Sequence, residues 1–196
     1  MLYDNDWSLD MYVDLGAAKD LAVAWALAAR SRRSLVYVPL RANAAGPAGL
    51  GERRGAALDL VLAHHSLGFP PSRWKAVRSR LGAGELHTAE IPESDFPGED
   101  EIDHERRGFE GWRDELRFGF AAETLFLTGS ATAFRISGAA VHSLIADGPA
   151  HVLAAYSWSH ECITLRHGGD GHARSPKDRP GMVHVEYSHG WKVGEG

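Results

Sequence analysis

Residues 123–167 read ETLFLTGSATAFRISGAAVHSLIADGPAHVLAAYSWSHECITLRH, and the fold can be predicted most directly from this stretch. Residues 124–128 are β-branched or aromatic, a Gly-Ser turn signal follows, and residues 132–136 resume the pattern. This arrangement predicts a β-hairpin. Ser137 is placed to cap a helix over residues 139–146, which a Gly-Pro pair then ends.

Both halves of the chain contain a strand-helix-strand pattern. After the helix just described, residues 152–158 and 161–167 predict a second hairpin. In the first half, residues 10–15 predict a strand, residues 17–30 are rich in strong helix formers, and residues 34–40 form an apolar run typical of a strand. The predicted fold class is therefore α+β, with a mixed sheet and one strand-helix-strand unit in each half.

Two segments suggest a degenerate internal duplication. YVDLGAAKDLAVA begins at Tyr12 and FRISGAAVHSLIA begins at Phe134. Each places a Gly-Ala-Ala turn between a predicted strand and a predicted helix. A repeated unit would explain the match, and so would chance in an alanine-rich chain.

The rest of the chain supplies shorter elements. Residues from 56 onward place Leu58, Val61, Leu62 and His65 at the spacing of one helix face. The remaining predictions are a short basic helix over residues 72–81, a strand over residues 86–91, a helix packed by Phe109, Trp112, Leu116 and Phe120, and a last strand over residues 182–187.

An acidic segment divides the sequence. Residues 92–105 carry seven carboxylates and a Pro-Gly pair, a composition that favours an exposed linker. We therefore expect an N-terminal α/β half over residues 1–91 and a C-terminal α+β half over residues 106–196. One compact domain is compatible with the same pattern.

Composition and charge exclude several protein classes. The net charge is −5, with +2 through residue 91 and −7 beyond it, which argues against a nucleic-acid binder. A single cysteine suits a reducing compartment, and no apolar run is long enough to span a membrane. The prediction is a cytoplasmic protein. Arginine outnumbers lysine seventeen to four, which suggests a GC-rich bacterium.

Standard catalytic signatures are missing from the sequence. It contains no G-x-x-x-x-G-K-[ST], G-x-G-x-x-G, G-x-S-x-G, H-E-x-x-H or C-x-x-C motif. Nucleotide-binding, serine-hydrolase and zincin interpretations therefore have no support from motifs.

Histidines near the C-terminal strands are the remaining candidates for chemistry. Alternation along residues 161–167 places His160, Cys162 and Arg166 on one polar face, where a thiol and an imidazole could act together or bind a divalent metal. His184 and Glu186 form a second same-face pair of the kind that a metal site uses. The alternatives to a functional site are histidines that simply face solvent and a cysteine that is buried and unreactive. His64 and His65 are more typical of a core position than of a catalytic one.

Two functions from different classes are compatible with these features. The first is a non-catalytic protein-interaction module of the inhibitor or immunity type, suggested by six tryptophans, an exposed acidic segment and the missing motifs. The second is a small metal-dependent or Cys/His enzyme with its site on the strand over residues 160–167. Whether the protein is an enzyme stays open at this point.

Overall fold

The computed structural model describes residues 1–5, 8–43, 55–97, 99–103, 105, 114–150, 161–168 and 180–188. Its helices and strands are β1 (Leu2–Asp4), β2 (Leu9–Val13), α1 (Leu15–Arg30), β3 (Leu35–Val38), β4 (Ala56–Ala57), β5 (Asp59–His64), α2 (Trp74–Arg78), β6 (Arg117–Ala121), β7 (Thr124–Gly129), α3 (Ala131–Ala146), β8 (Cys162–Arg166) and β9 (Met182–Tyr187). Short 3-10 turns lie at Leu40–Ala42, His65–Leu67, Pro71–Arg73, Glu93–Asp95 and Glu99–Glu101.

The strands form two mixed sheets, so the predicted α+β class is confirmed. A five-stranded sheet has the order β4-β1-β2-β9-β8, and a four-stranded sheet has the order β3-β5-β7-β6. In each sheet two neighbouring strands are parallel, β2 with β9 and β5 with β7. The other neighbours are antiparallel.

Each sheet combines strands from both halves of the sequence. The β1-β2 hairpin pairs with β9 and β8, whereas the β6-β7 hairpin pairs with β5 and β3. Helix α1 connects β2 of the first sheet to β3 of the second, and α3 connects β7 of the second to β8 of the first. The strand-helix-strand units predicted for the two halves are present, and each unit crosses from one sheet to the other.

The two halves match in register as well as in topology. Leu2 lies opposite Met11 in the first hairpin, and Phe118 lies opposite Leu127 in the second. The helices that follow both have 16 residues. An internal duplication stays a prediction, and the equivalence suggested by the sequence is wrong in register, because Phe134 lies inside α3 rather than on a strand.

One hydrophobic core joins both helices to the inner faces of both sheets. Trp25 of α1 is fully buried and meets Phe134 of α3 edge to face, with ring centroids 6.2 Å apart. Its indole Nε1 donates to Ser137 Oγ across the helix pair, at 3.0 Å. The Ser137 hydroxyl, which the sequence predicted to cap a helix, instead lies within α3. There it accepts the hydrogen bond that the buried indole N–H of Trp25 requires.

The hairpin predicted over residues 124–136 has a different partner strand. β7 is confirmed, but it pairs with the upstream β6, and the predicted strand over residues 132–136 is wrong. Ser130, not Ser137, caps α3, since its Oγ accepts from Ala133 N at 3.0 Å. Ala131 and Ala133, strong helix formers, follow this cap, and the helix begins eight residues earlier than predicted, at Ala131 rather than at Ala139.

The helix predicted around Leu58 and His65 is also wrong, because residues 59–64 form β5. All six side chains of this strand are buried. Leu60 and Leu62 face the main core, and Val61 faces a second cluster on the outer side of the sheet. A strand covered on both faces shows no alternation of polar and apolar residues, which is why its pattern resembled one face of a helix.

Some of the remaining sequence predictions are confirmed, some are wrong, and some fall on residues outside the described part of the chain. β9 has the predicted limits, and β8 lies inside the predicted residues 161–167. Residues 86–91 form no strand, residues 117–121 form β6 instead of the end of a helix, and the basic helix shortens to α2 after a 3-10 turn. The predicted strand over residues 152–158, together with Phe109 and Trp112, lies outside the described residues.

Candidate functional site

The predicted site residues on β8 and β9 share the outer face of the five-stranded sheet. Cys162 lies opposite Glu186, and the next pair of the same face places Thr164 opposite His184. Arg166 follows on this face, while the intervening Leu165 is buried in the core. The structure therefore brings Cys162, Arg166, His184 and Glu186 onto one surface. His160 lies outside the described residues.

A carboxylate that the sequence did not indicate joins this face from β2. Asp10 lies beside His184 in the parallel β2/β9 pair. Ser8 Oγ donates to Asp10 Oδ2 at 3.0 Å, and the Asn5 amide donates to the same oxygen. The two donors fix the orientation of this carboxylate.

The equivalent outer face of the four-stranded sheet has the opposite character. Four cross-strand neighbours of the five-stranded sheet are Tyr3, Asp10, His184 and Thr164. Their counterparts in the four-stranded sheet are Gly119, Phe126, Val61 and Tyr37. Of these counterparts in the four-stranded sheet, Phe126, Val61 and Tyr37 pack against the fully buried indole of Trp74. One of the two related faces is thus sealed by the chain itself, and the other carries polar and ionisable groups.

The electrostatic surroundings of Cys162 do not favour thiolate chemistry. Burial raises the pKa of its thiol, and the carboxylates of Glu161 and Glu186 raise it further. The nucleophile and the metal ligand are both the thiolate, so at neutral pH this side chain is protonated and weakly reactive. Within the described residues, no group of three His, Cys, Asp or Glu side chains is arranged to hold a metal ion. The metal site that includes His160 stays a prediction.

A buried polar network lies at the start of β5, where the sequence indicated no site. The carboxylate of Asp59 is 5% exposed. Its Oδ2 accepts from Tyr37 Oη at 3.0 Å and from Arg78 at 3.1 Å, and its Oδ1 accepts from the Arg41 amide at 3.0 Å. Burial, together with the hydrogen bond to Asp59, raises the pKa of the Tyr37 phenol. Three hydrogen-bond donors, from Tyr37, Arg41 and Arg78, therefore compensate the burial of the Asp59 carboxylate.

The same arginine holds a strained hairpin turn. Ala122 and Glu123 both have positive φ, 47° and 59°, in the two-residue loop between β6 and β7. Arg78 donates to Ala122 O at 3.0 Å, Asp59 N donates to Glu123 O at 3.0 Å, and the Glu123 carboxylate pairs with Arg41 at 2.7 Å. Contacts of this kind maintain a conformation that non-glycine residues rarely adopt.

Directly after Arg78 the chain leaves the body of the protein as a long exposed loop. We call residues 79–92 the presented loop. It contains no helix or strand, and residues 79–90 are all exposed. No backbone hydrogen bond joins residues 82–91 to any other residue in the described part of the chain. The Leu86 side chain is fully exposed.

Both ends of the presented loop are anchored. Upstream, the Trp74 indole is buried and donates to Thr124 Oγ1 at 2.9 Å, and Arg78 pairs with Asp59. Downstream, Asp95 pairs with Arg30 at 2.7 Å, and the Phe96 ring stacks on His142 with centroids 4.7 Å apart. The loop is therefore carried between two fixed points of the scaffold.

The downstream anchor modifies the prediction of an exposed acidic linker over residues 92–105. Phe96 packs against the main core and Ile102 is buried, so apolar side chains attach this segment to the body. Asp100, Glu101 and Asp103 are exposed, as the composition indicated. Phe96 and Ile102, the apolar residues between the carboxylates, indicate this attachment in the sequence, but a count of charges alone does not reveal it.

No helix among the described residues has the length and apolar character that a membrane crossing requires. Comparisons with protein-family models, with curated proteins and with solved structures find no match.

Proposed function

We propose that the protein is a non-catalytic interaction module of the inhibitor or immunity type, acting in a bacterial cytoplasm, and that it binds a protein partner through the presented loop. The observation that carries this proposal is the exposure of every residue from 79 to 90. Connections of this length without secondary structure are uncommon in compact domains, and most of those that are ordered bind something.

Anchoring supports the proposal in energetic terms. A free loop loses conformational freedom when a partner orders it, and that loss opposes binding. The Arg78–Asp59 and Arg30–Asp95 pairs, with the buried Trp74 and the stacked Phe96, restrict the loop before it meets a partner. A loop held in this way binds with a smaller entropic cost.

Leu86 is the natural anchor for such a partner. A fully exposed leucine has no packing role in the fold. Burial of its side chain in a partner's pocket would contribute about 1.5–3 kcal/mol. The surrounding Glu85, His87 and Glu90 are exposed and supply a polar rim of the kind that surrounds apolar anchors at interfaces.

The test is site-specific cross-linking in cells of the source organism. A photoreactive phenylalanine analogue replaces Leu86 in one variant and Leu27, an exposed leucine of α1, in the matched control. We expect one protein to be captured at position 86 and not at position 27. The captured protein is then purified, and its affinity is measured for wild type, Leu86→Asp and Leu27→Asp. Equal affinities for the three proteins would refute the proposal.

A second candidate function is the metal-dependent or Cys/His enzyme. The observation in its favour is that Cys162, Arg166, His184 and Glu186 share one sheet face. Elemental analysis of the purified protein, repeated for His184→Ala and Cys162→Ala, tests it. Bound metal that both substitutions remove would favour this candidate, and metal-free protein would rule out its metal-dependent form.

A further inference from the structure

The presented loop has features that narrow the class of its partner, and this inference rests on the proposed binding role of the loop. Helix-in-groove recognition requires a helical ligand, but Gly82 and Gly84 interrupt the loop, and Gly84 has φ of +74°. Recognition of a polyproline segment is excluded as well, because Pro92 is the loop's single proline. Recognition of an acidic motif by an arginine cluster is a poor match, because the loop has only two glutamates and one arginine that offsets one of them. Pairing of the main chain with a partner strand is the mode that best suits an exposed internal segment.

The main chain of the loop is open to such pairing. Residues 82–91 form no backbone hydrogen bonds with other residues in the described part of the chain, so none of those residues occupies their amides and carbonyls through the main chain. A Cβ atom added at Gly82 or Gly84 would meet no atom within 4 Å. Small residues occupy positions 82–84 and 88–89, while the two direct neighbours of Leu86, Glu85 and His87, have highly exposed side chains. A second polypeptide can approach closely from either side.

Side-chain sizes indicate one dominant pocket. A partner that reads several alternate residues of a strand needs several large side chains, and the loop offers a single large apolar one between residues 82 and 90. Main-chain pairing on both sides of one deeply inserted side chain is the way in which an endoprotease cleft holds its substrate, with a specificity pocket for that side chain.

We infer that the partner is a protease whose main specificity pocket is apolar, and that residues 85–89 occupy its cleft in an extended conformation with Leu86 in the pocket. The anchored ends give the loop the behaviour of an inhibitor rather than of a substrate. Trp74 and Phe96 attach the two sides to the scaffold independently, so the loop stays in the cleft and the neighbouring peptide is held in place.

The test uses the purified full-length protein with chymotrypsin, subtilisin and elastase, each titrated for active sites, and a chromogenic substrate. We expect reversible inhibition of at least one of them. Leu86→Ala should weaken inhibition by about 100-fold, the size of effect that loss of a central anchor produces. Leu27→Ala is the matched control, because Leu27 is an exposed leucine of α1 and lies outside the presented loop. It should leave inhibition unchanged, and both variants should retain the wild-type melting temperature.

A change of specificity provides the second arm of the test. Leu86→Lys should strengthen binding to trypsin relative to the wild-type protein, because trypsin's pocket selects a basic side chain. Mass spectrometry follows the chain during incubation. Cleavage after Leu86 as fast as in a free peptide of residues 79–92 would overturn the inference, and so would the absence of inhibition of all three proteases.

The two proposals fail in different ways. If no protease is inhibited but Leu86→Asp still weakens binding to the cross-linked partner, then the loop is a binding site for a protein of another class. If that partner also binds Leu86→Asp as tightly as wild type, then the loop has no binding role.

Discussion

At the scale of single residues, Arg78 links the fold to the proposed function. Its guanidinium pairs with the buried Asp59 and donates to the strained turn at Ala122, and the presented loop begins with the next residue. None of this could be predicted from the sequence, because the arginine lay in a basic cluster typical of a solvated helix surface. The carboxylate that pairs with it belongs to Asp59 of β5, a strand whose sequence pattern resembles that of a helix.

Removal of this arginine should destabilise the protein strongly. Arg78→Ala leaves the Asp59 carboxylate buried without its charged partner, and we expect a loss of about 3–5 kcal/mol in the free energy of unfolding. Arg41→Ala is the matched control, since its partner Glu123 is 62% exposed. That substitution should cost less than about 1 kcal/mol. Urea denaturation measures both, and equal losses would contradict the assignment.

Two histidines should make the protein sensitive to acid. Burial lowers the pKa of His64 and of His167 from the ordinary value of 6.5, helped by His65 and Arg32 at the first and by Arg117 at the second. Because the unfolded chain then binds protons more readily than the folded chain, stability is complete above pH 6.5 and falls as the pH drops below it.

Asparagine at both positions separates this effect from the loss of a contact. His167 Nδ1 accepts from Phe118 N at 2.8 Å, and His64 Nδ1 accepts from Ser66 N at 3.2 Å. An asparagine oxygen can replace each acceptor but does not titrate. In His64→Asn/His167→Asn the free energy of unfolding should depend less on pH between 5 and 6.5. An unchanged slope in urea denaturation would contradict the prediction.

At the scale of elements, the turn between β6 and β7 has the geometry of a type I′ hairpin with unfavourable residues. Both central positions have positive φ, where Asn-Gly is preferred and this chain has Ala122-Glu123. Ala122→Asn/Glu123→Gly should therefore stabilise the protein by about 1 kcal/mol, even after loss of the exposed pair with Arg41. A thermal melt checks this. A lower melting temperature would show that the clamping contacts offset the strain entirely.

Strands were predictable where one face is polar and the other apolar. β9 alternates in this way and has its predicted limits, with Val183 and Val185 buried beside the polar His184. β5 is buried on both sides and shows no such alternation, and residues 86–91, despite their strand-like composition, pair with no strand in the described part of the chain. Local composition thus identified elements whose burial is one-sided and failed for those decided by tertiary partners.

At the scale of the whole molecule, the two halves of the sequence interleave. Each sheet combines a hairpin from one half with two strands from the other, joined by a parallel pair, and the five-stranded sheet adds β4 at its edge. Comparison of the Gly-Ala-Ala segments suggested a duplication, but it aligned a strand with residues that lie inside α3. The similar hairpin registers of the two halves are long-range pairings, and local patterns do not contain them.

Separate halves should therefore fail to fold. A chain of residues 1–91 lacks β9 and would leave Leu9, Met11 and Val13 without their neighbouring strand. We expect each half alone, 1–91 or 92–196, to show no cooperative thermal transition, and the two together to restore one. Near-ultraviolet circular dichroism detects the recovery. A cooperative transition in either isolated half would show that it is an independent domain.

The central claim is that the body of this protein is a scaffold for the presented loop, and a loop replacement tests it most directly. Residues 82–91 are exchanged for a Gly-Ser segment of equal length, which leaves Trp74, Arg78, Asp95 and Phe96 in place. The measurement is the affinity for the partner captured at position 86, alongside the melting temperature. We predict a melting temperature within about 4 °C of wild type and loss of measurable binding. Retained affinity in the folded variant would contradict the claim.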